Sequence, residues 1–349
     1  MDREIALLLT IDGIANGAIY VLIALGTVLI FSVTRVIFVP FGDITAFAAL
    51  TLASLQIGRL PGTVWLVSVL ALIAISMETI ELIRRGKAAR IGRAFLYYVL
   101  LPAIPLALAF ATIGTKLPLV AEMALALMLV LPLAPLIDRI AFRPLADASV
   151  LVLLIVAVAV HFAISGLALL FFGPEGFRTE PITRAVFDIA GTTVTAQILL
   201  MIGAAVVFSG LLFLAFEHTL TGKALRATAV NRVGARLVGI RPERTGTIAY
   251  LLASLLAGIS GLLIGPVTTL YYDSGFLIGL KAFVGAIIGG LVSYPLTALG
   301  AIAVGILESF ASFWSSTLKE AIVFFSLIPI LVWRSIVTPH SEEEEEEIA

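Results

Sequence analysis

Cysteine is absent from the 349 residues, so the chain has no disulfide framework, no thiolate metal site and no dithiol redox pair. Charge is also scarce: 13% of the residues are charged, whereas 60% are hydrophobic and the mean hydropathy is +1.13. A soluble domain with this composition would lack the polar side chains that cover a water-exposed surface. The composition therefore excludes an ordinary soluble protein and predicts a membrane protein.

Hydrophobic residues fall into eleven long runs separated by short polar breaks, the pattern of an all-α, polytopic membrane protein. Several runs are short or contain Gly and Pro, so we expect some broken or re-entrant helices. No shift in composition divides the chain, which predicts one transmembrane domain over residues 1–340. The runs are approximately 5–31, 38–57, 63–83, 94–113, 118–137, 149–172, 195–216, 246–264, 276–292, 296–313 and 319–334.

The distribution of basic residues predicts the orientation. Of the 22 Lys and Arg, 15 fall on one face of the predicted topology, and the positive-inside rule assigns that face to the cytoplasm. The N-terminus is then outside and the C-terminus inside, in agreement with eleven crossings. The largest predicted external loop, 173–195, carries mixed charge; it is either a docking site for an external partner or a solvated connector.

The formal net charge of −1 depends on the run Glu342–Glu347, without which it would be +5. Residues 341–349 are predicted to form a disordered acidic tail. The start of the chain has no basic n-region and its first apolar run is too long for a signal peptide, so that run is expected to remain as a span.

Motifs for catalysis and nucleotide binding are missing. The chain contains no Gly-x-x-x-x-Gly-Lys-(Ser/Thr) loop, no His-Glu-x-x-His and no Gly-x-Ser-x-Gly. It therefore cannot bind ATP through a phosphate-binding loop, and we expect no enzyme activity, no cofactor and no metal site in this chain. His161, near the middle of a span, is expected to be a hydrogen-bonded packing residue rather than a metal ligand.

The predicted inner loop 217–245 is rich in small residues and arginines. Its alanines favour a short helix with a close-packing face, which Gly239 is placed to end. Such a helix can sit in a groove of a partner with its arginines near acidic groups. The alternative is an ordinary positive-inside loop, or one that binds anionic lipid headgroups.

Ionisable residues within apolar runs are costly and need partners. Lys281 and Glu308 are each predicted to lie about 7–8 Å below the outer boundary, at 1.5 Å per residue. An ion pair between them is the favoured interpretation over contact with a substrate carboxylate. Glu78 and Glu81 stand at helical spacing from Arg84 and Arg85 and are expected to pair with them.

Several segments together resemble permeases of the branched-chain amino acid ABC importer family. The segment 221–240 resembles their cytoplasmic coupling loop, and Asp138–Leu145 resembles an acidic-Arg-x-x-x-Arg-Pro loop. The small-residue helix Gly13–Gly26 and the Gly-rich segment Gly275–Gly290 also match. The resemblance covers most of residues 11–57 and 138–334, and it is specific as a set.

The resemblance implies the pore-forming subunit of an ATP-driven importer in the bacterial inner membrane. The implied partners are a second permease subunit, two cytoplasmic ATPase subunits that use ATP, an external substrate-binding protein and membrane lipid, with no nucleic acid. The residues expected to couple to the ATPase are Gly222, Lys223, Arg226, Asn231, Arg232, Arg236 and Gly239. The candidate lining residues of the pathway are Asn16, Tyr20, Phe38, Phe41, Asp43, Phe276, Lys281 and Glu308.

Two departures from the family pattern stand out. Residues 63–117 hold about one extra helix pair, which we expect to be peripheral and lipid-facing. Phe38 and Phe41 replace a polar Asn and His that are frequent in the family, so hydrophobic or aromatic carboxylates join amino acids as expected cargo if this turn lines the pathway. The alternative is that both rings pack against lipid or neighbouring helices.

A different class of function is a secondary transporter or channel that works without an ATPase. Asp12, His161, Lys281 and Glu308 would then form a proton or ion relay. This interpretation leaves the basic segment 221–240 without a role.

Overall fold

The computed structural model describes residues 3–146, 148–189 and 191–337, and the chain is 78% helical. The predicted acidic tail 341–349 lies outside these residues. One antiparallel hairpin, β1–β2, is the exception to the helical architecture among them. The elements are α1 (Arg3–Thr34), α2 (Phe41–Gln56), α3 (Thr63–Arg84), α4 (Ala88–Ala111), α5 (Leu119–Leu145), α6 (Val150–Phe172), β1 (Val186–Ile189), β2 (Thr192–Thr195), α7 (Ala196–His218), α8 (Leu220–Val230), α9 (Arg232–Leu237), α10 (Pro242–Ile264), α11 (Ser274–Ile288), α12 (Tyr294–Trp314), α13 (Lys319–Phe325) and α14 (Leu327–Val337).

Eight of the described helices are long and apolar enough to cross a membrane: α1, α3, α4, α5, α6, α7, α10 and α12. This confirms an all-α polytopic membrane protein. The other three predicted runs form shorter helices: α2 has 16 residues, α11 has 15, and the last run is split into α13 and α14 at Ser326. A complete crossing needs about 20 helical residues. Eleven crossings and the orientation of the termini stay predictions.

Helix α1 lies at the centre of the bundle and packs against α10, α11 and α12. Of its most apolar window, 83% is buried inside the protein. Glycines allow the close approach to α12: a Cβ added at Gly13 or Gly17 would lie 2.6 Å from the Cα of Ile306 or 2.7 Å from that of Ile302. In a bilayer such backbone proximity is a main source of helix–helix attraction, since lipid competes equally for larger apolar side chains.

Helices α3, α4, α6 and α7 occupy the periphery, where only 17–22% of each apolar window is buried. The extra pair predicted over 63–117 is therefore exposed on the outside of this chain, with large apolar side chains such as Trp65, Leu72 and Tyr97 uncovered. Its lipid-facing role stays a prediction.

The segment Asp138–Leu145, expected to be a loop, instead forms the last turns of α5, first a wide π turn and then a 3₁₀ turn. The prediction was wrong because it ended the helix where hydropathy falls. Asp138, Arg139 and Phe142 are all buried and have partners within the protein, so the helical backbone continues past the end of the apolar run.

Candidate functional site

The segment 217–245 folds into two short helices, α8 and α9, rather than the single helix expected. The division falls at Asn231, whose Oδ1 accepts a hydrogen bond from the Gly234 amide at 2.7 Å and so caps α9. Thr219 caps α8 in the same way, by accepting from the Gly222 amide at 2.9 Å. Gly239, with a φ of +86°, follows the end of α9, as predicted.

One face of this helix pair packs on the bundle, through Gly222, Leu225 and Ala235. Gly222 lies against the backbone of Ala215 and Phe216 of α7, where no side chain would fit. The face thus fixes α8 to the end of α7.

The opposite face is both apolar and basic. Leu237 is 84% exposed and Val230 81%, so the rest of the described chain leaves both large apolar side chains uncovered. Arg226 and Arg236 are exposed as well, each with a surface carboxylate partner: Glu217 at 2.7 Å and Glu243 at 3.7 Å. We define the α8–α9 surface as Val230, Val233, Leu237 and Val238 together with Lys223, Arg226 and Arg236.

A buried cluster of charge joins four helices in the interior. Lys281 of α11 donates to Glu308 of α12 at 2.6 Å, which confirms the predicted ion pair. The hydroxyl of Tyr20, on α1, donates to the second oxygen of Glu308 at 2.5 Å, and Glu320 of α13 lies 3.4 Å from the Lys281 ammonium.

The Lys281–Glu308 cluster has few polar atoms left that could bind a solute. Both oxygens of Glu308 are engaged, and Lys281 is only 5% exposed with two carboxylate partners. A buried pair of this kind is costly to break, because the remaining charge is left without water or a partner. The geometry therefore supports a structural ion pair rather than contact of Lys281 with a substrate carboxylate.

A second buried cluster links α2, α6 and α11. Nδ1 of His161 lies 2.7 Å from Oδ2 of Asp43, and the imidazole stacks on the ring of Phe276 with centroids 4.4 Å apart. The other oxygen of Asp43 is buried without a hydrogen-bond partner among the described residues. Gly42 makes this geometry possible because it lies directly against the backbone of Gly275 and Gly279.

His161 is thus a hydrogen-bonded packing residue, as expected, and the described residues contain no cluster of three or more His, Cys, Asp or Glu suited to a metal ion. Its pairing with Asp43 was not predicted. The two residues are 118 positions apart, and nothing in either local sequence indicates the other.

Phe38 and Phe41 lie in the core, each 2% exposed. The ring of Phe38 packs edge-on against Tyr250 and Phe142, at centroid distances of 5.2 and 5.6 Å, and Phe41 fills the space above Gly26. Packing against neighbouring helices, the alternative given above, is the arrangement observed. Because both rings are in the core, they give no support to a more aromatic pathway.

The remaining candidates occupy intermediate positions. Asn16 and Phe276 are half-buried, on α1 and α11.

Glu81 pairs with Arg85 at 2.7 Å, as expected. Glu78 and Glu81 also each form an ion pair of 2.6 Å with Arg139, which lies 61 and 58 residues further along the chain. The predicted partner Arg84 makes no ion pair within the described part of the chain.

Comparison with known sequences settles the family. A family model described as the permease component of a branched-chain amino acid transport system matches residues 9–332. The chain belongs to this permease family. The match includes both buried clusters and the whole α8–α9 helix pair, whereas residues 333–349 fall beyond it.

Individual relatives within this permease family are distant. The high-affinity branched-chain amino acid transport permease LivH of Salmonella typhimurium is 28% identical over 207 residues, which is 56% of this chain and 66% of that protein. BraD of Pseudomonas aeruginosa is 27% identical over 206 residues, 57% and 67% of the two chains. A probable LivH of Methanocaldococcus jannaschii is 29% identical over 192 residues, 51% and 59%. The chain thus spans about two thirds of the length of LivH, and no solved structure matches it.

Proposed function

We propose that this chain is the pore-forming permease subunit of an ATP-binding-cassette importer of the bacterial inner membrane. Membership in the permease family and eight helices able to cross a membrane support this function. The observation that carries the mechanism is the α8–α9 surface, which presents exposed apolar and basic side chains on a helix pair fixed to the bundle.

The α8–α9 surface is the proposed contact with the ATPase subunits. A short helix with an apolar stripe fits a groove of a partner, and flanking arginines form charge-assisted bonds with carboxylates there. Because Gly222 holds α8 against the end of α7 with no intervening side chain, movement of the surface is transmitted to a membrane helix. ATP is bound and hydrolysed by the partner subunits.

The proposed substrate is a small amino acid of the branched-chain type, as named for the relatives LivH and BraD. With Phe38 and Phe41 in the core, no observation favours aromatic carboxylates over aliphatic amino acids. The proposed complex also contains a second permease subunit and an external substrate-binding protein. The external hairpin β1–β2, with Val186 and Phe187 exposed, is a candidate contact for that protein.

The alternative of a gradient-driven transporter is less well supported. Of its proposed relay, Lys281 and Glu308 are engaged with each other, and His161 with Asp43. A relay needs groups that exchange protons with a water-filled path, whereas His161, Lys281 and Glu308 are buried within the chain and Asp12, the fourth member, is half-buried and lies apart from their ion pairs.

The coupling proposal is tested by assembly with the ATPase subunits. We expect that Leu237→Asp abolishes co-purification of the ATPase subunits with the membrane-inserted permease, because it places a charge within the apolar stripe. Arg226→Glu should weaken co-purification by reversing a charge at its edge. The measurement is the ATPase-to-permease ratio after affinity purification in mild detergent.

A matched control is Ile57→Asp, which adds the same charge at an exposed apolar residue at the end of α2. It should leave the ratio unchanged. Equal recovery of ATPase with Leu237→Asp and with the unmodified chain would contradict the proposed contact.

A further inference from the structure

A cavity of about 670 Å³ opens where the ends of α3 and α5 meet α9 and the start of α10. Its walls carry six arginines from three helices: Arg84, Arg85, Arg139, Arg143, Arg232 and Arg236. Three carboxylates, Glu81, Asp138 and Glu243, share the lining. With Glu78, which also binds Arg139, four acids face six bases, so the cavity keeps an excess of positive charge.

Most of these arginines are held by partners within the protein. Arg139 bridges Glu78 and Glu81, while Arg143 bonds to Asp138 at 3.2 Å and to the Thr247 hydroxyl at 2.7 Å. Arg139 and Arg143 are thus largely buried and held in place by these bonds. Because carboxylates neutralise Arg139 and Arg143, the excess positive charge of the cavity lies on the other arginines.

Arg84 and Arg232 are the arginines of the cavity that form neither an ion pair nor a side-chain hydrogen bond among the described residues. They reach the cavity from different helices, α3 and α9. The Nε of Arg232 is buried with no hydrogen-bond partner, a costly position for a guanidinium donor. An anion bound between the two side chains would provide acceptors for guanidinium groups that no carboxylate of the described residues pairs with.

The position of the cavity favours a lipid as the source of that anion. Met77 and Ile80 of α3 line it, and Ile80 and Ile83 are 53% and 60% exposed on the outside of the chain. An acyl chain can lie along this apolar face of α3 while its headgroup enters the basic cavity. Guanidinium groups bind phosphate oxygens in a two-pronged geometry, and basic pockets at the inner boundary of a membrane suit anionic headgroups.

We propose that this cavity is a binding site for a phosphate-bearing anion, held by Arg84 and Arg232, with an anionic phospholipid headgroup as its occupant. The site links α3, part of the segment 63–117, to α9, which carries part of the α8–α9 surface. An occupant would therefore tie that segment to the helix pair. This inference does not depend on the identity of the transported solute.

The test measures binding of individual phospholipids to the full-length protein in detergent by native mass spectrometry. Phosphatidylglycerol should bind at a saturable site, and Arg84→Gln with Arg232→Gln should weaken that binding about 30-fold, at about 1 kcal/mol for each arginine near the membrane surface. The control, Lys87→Gln with Arg90→Gln, removes the same charge from the adjacent basic segment outside the cavity and should leave the affinity unchanged.

Three further arms decide the outcome. Phosphatidylcholine, whose headgroup is zwitterionic, should bind at least tenfold more weakly. Competition by millimolar inorganic phosphate that is lost in the Arg84→Gln, Arg232→Gln variant would support the anion site with a soluble occupant instead of a lipid. Equal weakening by both double variants, or equal binding of the two lipids, would overturn the proposal.

A conservative double substitution controls for loss of binding through misfolding. Arg84→Lys with Arg232→Lys keeps the charge but removes the two-pronged geometry, and it should weaken binding by an intermediate factor. Unchanged affinity in both the lysine and the glutamine variants would exclude these two side chains as ligands.

Discussion

The Lys281–Glu308 cluster and the α8–α9 surface both contain cationic side chains, but those side chains differ in burial. In the cluster, Lys281 is buried and pairs with Glu308 and Glu320. On the α8–α9 surface, Arg226 and Arg236 are more than half exposed and lie beside uncovered Leu237 and Val238. The difference indicates that the interior charges stabilise the fold, whereas the surface charges are available to a partner.

The largest expected effect on stability comes from removing the cation of the interior cluster. Lys281→Met leaves Glu308 buried without its ion pair and should lower the free energy of unfolding by about 3–5 kcal/mol. The measurement is unfolding of the purified protein in mixed detergent micelles. Lys281→Met with Glu308→Gln removes both charges but keeps an acceptor for the Tyr20 hydroxyl, and it should recover most of the loss. If the single variant is as stable as the unmodified protein, the cluster is not a structural ion pair.

A somewhat smaller loss is expected at the second buried cluster. His161→Leu removes the hydrogen bond to Asp43, whose other oxygen already lacks a partner, and should cost about 2–3 kcal/mol. Phe162→Leu, at the neighbouring position, is the matched control. Phe162 is 69% exposed, so its shortening should change stability by less than about 0.5 kcal/mol. Equal effects of the two substitutions would show that the Asp43–His161 bond contributes nothing to stability.

Close packing of α1 on α12 should be sensitive to a single methyl group. Gly17→Ala would place a Cβ 2.7 Å from the Cα of Ile302, and overpacking of this kind costs about 1–3 kcal/mol. Gly203→Ala on α7 meets nothing within 4 Å and should be neutral or stabilising, because alanine favours helix. Thermal unfolding of the two variants measures the difference. A stable Gly17→Ala protein would argue against a rigid α1–α12 contact.

The smallest effect on stability is expected on the α8–α9 surface. Leu237→Asp should change the free energy of unfolding by less than about 0.5 kcal/mol, since the side chain is 84% exposed. The same variant should lose the ATPase subunits, so Leu237→Asp should impair assembly without lowering stability. Lys281→Met, in contrast, is expected to lower both stability and assembly. Unfolding of Leu237→Asp at the same denaturant concentration as Lys281→Met would remove the contrast between the two regions.

Much of the helical architecture was predictable because the requirements of the bilayer are local. A run of about 20 apolar residues satisfies its own backbone only as a helix, so hydropathy was sufficient to find α1, α6, α7 and α10. The Lys281–Glu308 pair was predictable for a related reason. A charge within an apolar run needs a partner, and these two share the same estimated depth.

Contacts between distant segments could not be predicted in this way. The partners of Arg139 lie 58 and 61 residues earlier, and that of His161 lies 118 residues earlier, so only the tertiary fold shows them. The same limitation led to the incorrect end of α5. Hydropathy measures solvent preference along the chain, whereas the last turns of α5 are stabilised by Phe38, which precedes α2, and by side chains of α3 and α10. Likewise, nothing in the local sequence around Phe38 and Phe41 indicates whether their rings pack in the core or line a pathway.

Uptake in proteoliposomes tests the proposed function most directly. The chain would be reconstituted with its companion permease and ATPase subunits, and a branched-chain amino acid would be supplied with the external binding protein. We expect accumulation that requires ATP and the ATPase subunits and that is lost with Leu237→Asp. Uptake by this chain alone, driven by an ion gradient without any ATPase, would contradict the account.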